Sequence, residues 1–81
     1  MKELLEYLAQ KLVSKPKEVR VTENTEADGT IRLTLSTAPE DMGMIIGKGG
    51  KTIVAIRSLI KTAAVKSGKK VLLELEESSS E

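Results

Sequence analysis

Residues 42–53 read MGMIIGKGGKTI. Gly47, Gly49 and Gly50 stand close together, with Lys48 and Lys51 among them and Ile45, Ile46 and Ile53 on either side. Glycine has no Cβ, so a ligand can approach its backbone closely. If a helix starts just after the loop, its first N–H groups have no partner inside it, and the helix dipole favours an anion there. Lys48 reaches the phosphates beside the loop and Lys51 the next one along. Phosphate binding is the chemistry these residue types suggest, and neither lysine would read base identity.

Two other phosphate loops are excluded by spacing. A G-x-x-x-x-G-K-[ST] loop would end at Gly50-Lys51-Thr52, but its first glycine falls on Ile45. A G-x-G-x-x-G fingerprint fits Gly47 and Gly49 and then meets Thr52. With no cysteine and no histidine, the chain offers no disulfide framework, thiolate, zinc site of the usual kind or Ser-His-Asp triad. Asp28, Glu40 and Asp41 sit where a turn and a helix start favour acids for local reasons. No catalytic residue, metal or cofactor is expected.

The formal net charge of +1 hides an uneven distribution. No acid lies between Asp41 and Glu74, and that stretch carries +7, against −6 for the rest. A basic run is usually a solvated face. Beside a glycine loop it reads as an anion site.

The elements that must hold this loop can be read in order. The 81 residues suffice for one small domain on a Leu/Ile/Val core, since there is one Tyr and no Phe or Trp. Residues 2–13 predict an amphipathic helix with Leu4, Leu5, Leu8, Leu12 and Val13 on one face, ended before Pro16. Residues 18–25 and 30–36 alternate as strands around the turn residues Glu26-Ala27-Asp28-Gly29 and predict a hairpin. Thr37-Ala38-Pro39-Glu40 has the form of a capping box, so a short helix is expected from about Pro39 to Ile45. After the loop, about Gly50 to Lys66 predicts a longer helix with Ile53, Ile56, Leu59, Ile60, Ala63 and Ala64 as its apolar face. Ser67-Gly68 ends it. Residues 70–76 predict the last strand, and the polar residues 77–81 a disordered tail. A crossover of about thirty residues joins the second and third strands, which implies parallel pairing with right-handed sense. The open sheet face is expected to carry Arg20, Thr22, Arg32, Thr34 and Leu72.

A glycine loop of GxxG form between two helices, in an α-β-β-α-α-β chain, resembles the KH domain, a single-stranded RNA-binding module whose GxxG loop clamps the backbone. The likeness rests on Ile45-Ile46 before the loop, Ile53 and Ile56-Arg57 after it, and the helices around it, and it covers residues 2–76. The leading helix and strand match the type II arrangement. The segment APEDMGMIIGKGGKTIVAIRSLIKTAA in a chain of this size looks like the bacterial KhpA (YlqC) family. The implied fold is α+β: one type II KH domain over residues 1–76, with a three-stranded mixed sheet covered on one face by three helices. One departure is Gly49, which leaves Lys48 as the loop's only side chain.

The resemblance implies an RNA-binding role, as an RNA chaperone or post-transcriptional regulator, with about four unpaired bases in a groove beside the loop. Its expected floor is Ile45, Ile46 and Ile53, and its far wall the edge of the central strand, Ile31 to Leu35. Ile53, Ile56 and Ile60 also read as core. Arg57 suits either phosphate or a structural ion pair. Lys69 and Lys70 read as solvated. Single-stranded DNA remains open as a competitor. A second surface is expected at Val54, Ser58, Lys61 and Val65, a stripe on the long helix. The resemblance implies homodimers and association with a KhpB (Jag/EloR)-like KH protein. The alternative is a protein-interaction module in which RNA is incidental. No apolar run approaches a membrane span and the N-terminus lacks a signal-peptide core, so the cytoplasm is the expected setting and no membrane partner is expected.

Overall fold

The computed structural model describes residues 1–76; the tail expected over 77–81 lies outside the described residues. The first helix, α1, runs Lys2–Leu12. Leu5 and Ala9, one helical turn apart, are fully buried, and Leu8 packs partly against them. Leu4 and Leu12, expected on the same face, are exposed: Leu4 lies on the flank of the stripe and Leu12 is the last helical residue. Val13 is already extended, and a 3-10 turn, Pro16–Glu18, leads into β1, Arg20–Thr25. That turn takes up the first residue expected in the strand.

β1 pairs antiparallel with β2, Ile31–Ser36, and Gly29 turns the hairpin at φ 92°. Ile31, Leu33 and Leu35 are buried on one face of β2 while Arg32, Thr34 and Ser36 are half-exposed on the other, so the alternation is complete. Burying Leu33 and Leu35 contributes about 1.5–3 kcal/mol each. On the open face Arg32 pairs with Glu26 of the hairpin and Glu74 of the last strand.

The approach to the second helix differs from the capping-box expectation. Residues Pro39–Asp41 form a 3-10 turn, and α2, Met42–Ile46, has Asp41 as its N-cap position. The Thr37 hydroxyl donates to Ala38 O at 3.0 Å, and Glu40 pairs with Lys15. The box requires an α-helix beginning at Ala38, and the tighter turn removes it.

α3, Lys51–Lys66, buries Ile53, Ile56, Ile60 and Ala64 against the sheet. Leu59, also expected in this face, is 55% exposed. At 100° per residue it points well away from the Ile56–Ile60 line, toward α1. Gly68, at φ 72°, closes the helix: its N–H donates to Val65 O at 3.0 Å, and Lys69 N–H reaches back to Ala64 O at 2.8 Å. β3, Val71–Leu75, then pairs parallel with β2. The sheet order is β1-β2-β3, so β2 is central and the three helices pack on its apolar face.

Candidate nucleic-acid interface

The loop is a single 3-10 turn, Lys48–Gly50, between α2 and α3. Gly47 N–H donates to Gly43 O at 2.8 Å and closes α2. Gly50 N–H then donates to Gly47 O at 3.1 Å, and Lys51 N–H to Lys48 O. All three glycines have positive φ: Gly47 at 78°, Gly49 at 62° and Gly50 at 79°. They are needed for different reasons. Gly47, at ψ 171°, lies in a region open essentially to glycine alone. A Cβ there would stand 2.1 Å from Thr52 Oγ1 and 2.8 Å from Thr52 N. A Cβ on Gly49 or Gly50 would meet nothing within 4 Å. The first glycine therefore serves the chain's own packing, and the next two leave open space in front of the backbone.

The flanking isoleucines divide. Ile46 is 37% exposed beside the loop, and only it is placed to touch a ligand freely. Ile45, at 0%, and Ile53, at 6%, are core residues that support the loop from beneath, because α2 turns Ile45 toward the sheet and α3 does the same with Ile53. The sequence reading that put both in the groove floor is revised accordingly. Lys48 and Lys51 are exposed at the loop. Among the described residues neither forms an ion pair, and the same holds for Arg57 and Lys61.

The expected far wall needs correction. β2 is hydrogen-bonded on both sides, to β1 and to β3, and has no edge to offer. The hairpin occupies one side of β2, so the parallel strand β3 takes the other and carries the free edge on the side of α3. A cleft lies between α3 and that edge, lined by Arg57, Ile60, Lys61, Val71, Leu72 and Leu73. Arg57 Nε donates to Leu73 O at 3.4 Å, which holds the guanidinium at the cleft wall with its terminal nitrogens as further donors. The expected structural ion pair of Arg57 is absent among the described residues; the side chain touches backbone instead and faces the cleft. Farther along, Lys69 and Lys70 join Lys61 and Val65 around the same cleft. No acid lines either part of it.

The expected partner stripe, Val54, Ser58, Lys61 and Val65, lies exposed along one face of α3, its members within about 60° of one another around the helix. Lys61 and Val65 line the cleft, and exposed Val54 lies on the same flank of α3. Ser58 also borders an apolar groove between α1 and α3, with Leu4, Leu8, Leu59 and Ala63. Reading Leu4 and Leu59 as core hid this groove in the sequence. Its signal was present, since each sits on the flank of its helix's apolar stripe.

One residue of consequence was not singled out as part of the site. Asp41 is 1% exposed at the start of α2. Its Oδ1 accepts from Ser14 N at 3.2 Å and Ser14 Oγ at 2.7 Å, and its Oδ2 from Lys15 N at 3.0 Å. The Ser14 hydroxyl first, and then the Ser14 and Lys15 N–H groups, hold its carboxyl below the ordinary carboxylate value against the opposing effect of burial.

Among the described residues no helix is long and apolar enough to cross a membrane. The family model described as KhpA/KhpB, KH domain, matches residues 2–75. The chain is 52% identical over 75 residues to RNA-binding protein KhpA of Clostridium acetobutylicum, covering 93% of this chain and 99% of that protein. It is 48% identical to RNA-binding protein KhpA of Clostridium perfringens over the same shares. Against RNA-binding protein KhpA of Halalkalibacterium halodurans the identity is 41%, over 93% of this chain and 97% of that one.

Proposed function

The chain belongs to the KhpA/KhpB KH-domain family, a non-catalytic family, and on that premise we propose that it binds single-stranded RNA through the loop at residues 47–50. The observation that carries the reading is the open space before Gly49 and Gly50, between Lys48 and Lys51 at the start of α3. A phosphate can approach the loop backbone there without meeting a Cβ, and the sixteen-residue helix behind it adds a favourable dipole. Bases then lie along the α3–β3 cleft, between Ile46 at one end and Leu72 on the strand side. Arg57 and Lys61 stand over the backbone. With Tyr7 away on α1 as the single aromatic residue, base stacking contributes little, and affinity rests on a few phosphates and apolar contacts. None of these contacts requires a 2′-OH, so single-stranded DNA should compete. The proposed role is that of an RNA chaperone or post-transcriptional regulator in the cytoplasm.

The test is the double substitution Lys48→Asp/Gly49→Asp. Aspartate tolerates the left-handed region better than most residues, and Gly49 faces open space, so the fold should persist. Two negative charges where the phosphate sits should lower RNA affinity by more than tenfold. Unchanged affinity in a folded variant would sink the reading.

The α1–α3 groove favours a second reading alongside the first. Leu4, Leu8 and Leu59 form an apolar surface with nothing over it among the described residues. We propose that this groove pairs two copies, or one copy with a KhpB (Jag/EloR)-like KH protein, so that two weak RNA sites act on one strand by avidity. RNA binding retained in a chain that sediments as a monomer at high concentration would separate the two readings and end this one.

A further inference from the structure

α2 has five residues and is about 7.5 Å long, too short to hold itself in water. Its position sets that of the loop, because Gly47 N–H, bonded to Gly43 O, is both the end of α2 and the entry to the turn. Three anchors hold this short element. Ile45 plugs into the core, Gly47 sits against Thr52, and Asp41 fastens the front end to Ser14 and Lys15, residues that lie 27 and 26 positions earlier in the chain. The first two anchors are apolar packing and a close approach. The third is a buried carboxylate holding three donors.

A buried carboxylate is a poor choice if stability is the only requirement, since a well-packed apolar residue costs less to desolvate. Its advantage is geometry. Three directional hydrogen bonds specify one position for the start of α2, where apolar packing would tolerate sliding. The core does not need this link otherwise: α1 is held by Leu5 and Ala9, and β1 by its ladder with β2. The segment it ties down is the Ser14–Lys15 bend between them. Glu40 and Lys15 add an exposed ion pair beside the same junction.

We propose that Asp41 and Ser14 are positioning residues for the RNA-binding loop, acting through α2 and without touching RNA. The proposal rests on the RNA reading given above. When the clamp is lost, α2 samples more than one position, and the loop spends part of its time unable to close on a phosphate. Apparent affinity then falls in proportion to the competent fraction.

The experiment compares the unmodified chain with Ser14→Ala, Ser14→Thr and Asp41→Asn, each well below its melting temperature. Amide spectra of the free proteins and titration with a mixed-sequence single-stranded decanucleotide RNA are recorded. Ser14→Ala removes one hydroxyl from an exposed residue and should stay folded even if Asp41→Asn does not. Its Gly47–Thr52 amides should shift or broaden, and Kd should rise roughly threefold, as expected if the competent fraction drops to about a third. Ser14→Thr keeps the donor and should restore both. Binding by the folded Ser14→Ala chain equal to that of the unmodified chain, with loop amides unmoved and only the melting temperature lowered, overturns the proposal alone. No RNA binding by the unmodified chain overturns the reading beneath it as well.

Discussion

Replacing Gly47 by alanine should cost far more than replacing Gly49, although both stand in the same short loop. At Gly49 (φ 62°, ψ 19°) a Cβ meets open space, and the penalty is that of one left-handed residue, about 1–2 kcal/mol. At Gly47 (φ 78°, ψ 171°) the backbone region itself costs about 1–3 kcal/mol for a residue with a side chain. The new Cβ also falls 2.5 Å from Thr52 Cβ and 2.8 Å from Thr52 N. Overpacking of that kind adds about 1–3 kcal/mol. A domain of this size has roughly 4–12 kcal/mol in all, so Gly47→Ala removes a large share. Each kcal/mol corresponds to about 4–8 °C in Tm here. Thermal melts should therefore show Gly49→Ala lowered by roughly 4–16 °C and Gly47→Ala by about twice that or more. Adding Thr52→Ala should not rescue Gly47→Ala, because the Cβ and backbone N of residue 52 remain. Equal melting temperatures for the two alanine variants, or full rescue by Thr52→Ala, would refute the argument that the first glycine is needed by the chain itself.

Other expectations follow from the same geometry. If about three phosphates are neutralised, log K should fall with log salt at a slope near −2, a loss of about twentyfold between 50 and 200 mM, measurable by fluorescence anisotropy. Because Asp41 titrates below its ordinary value, its contribution is present above about pH 4 and is lost as pH falls through its folded value. Urea midpoints taken from about pH 6 down to about pH 2 should drop on the acid side, and Asp41→Asn should flatten that drop. Leu59→Asp should leave RNA binding by the single domain unchanged while weakening self-association; burying the exposed half of two symmetry-related leucines is worth about 1.5–3 kcal/mol, or roughly ten- to a hundred-and-fiftyfold in dimer Kd by sedimentation.

Much of this architecture could be read directly from residue patterns. Ile31, Leu33 and Leu35 alternate because one face of β2 is buried, and Gly68 follows α3 because the helix end needs a left-handed residue. The loop announced itself through Gly47, Gly49 and Gly50. What stayed hidden depends on relations between elements. The apolar pattern of α3 shows that Leu59 lies near its buried face, and only the placement of α1 decides that a groove is left open there. The far wall went to the wrong strand because the hairpin had not yet been used to fill one side of β2. Thr37 and Glu40 matched a capping box in spacing, yet a 3-10 turn at Pro39 took the helix start three residues on. Asp41 looked like an acid suited to a helix start. Its true partners, Ser14 and Lys15, lie a hairpin away, and no local spacing connects them.

The most direct test of the central claim is an amide NMR titration of the chain with a short mixed-sequence single-stranded RNA, at low and then higher salt. Shifts should concentrate on Ile46–Ile53, on Arg57 and Lys61, and on Leu72 and Leu73 at the β3 edge, all weakening with salt. Loop and cleft amides that stay still, while those of Leu4, Leu8 and Leu59 change with protein concentration, would contradict that claim and leave an interaction module in its place.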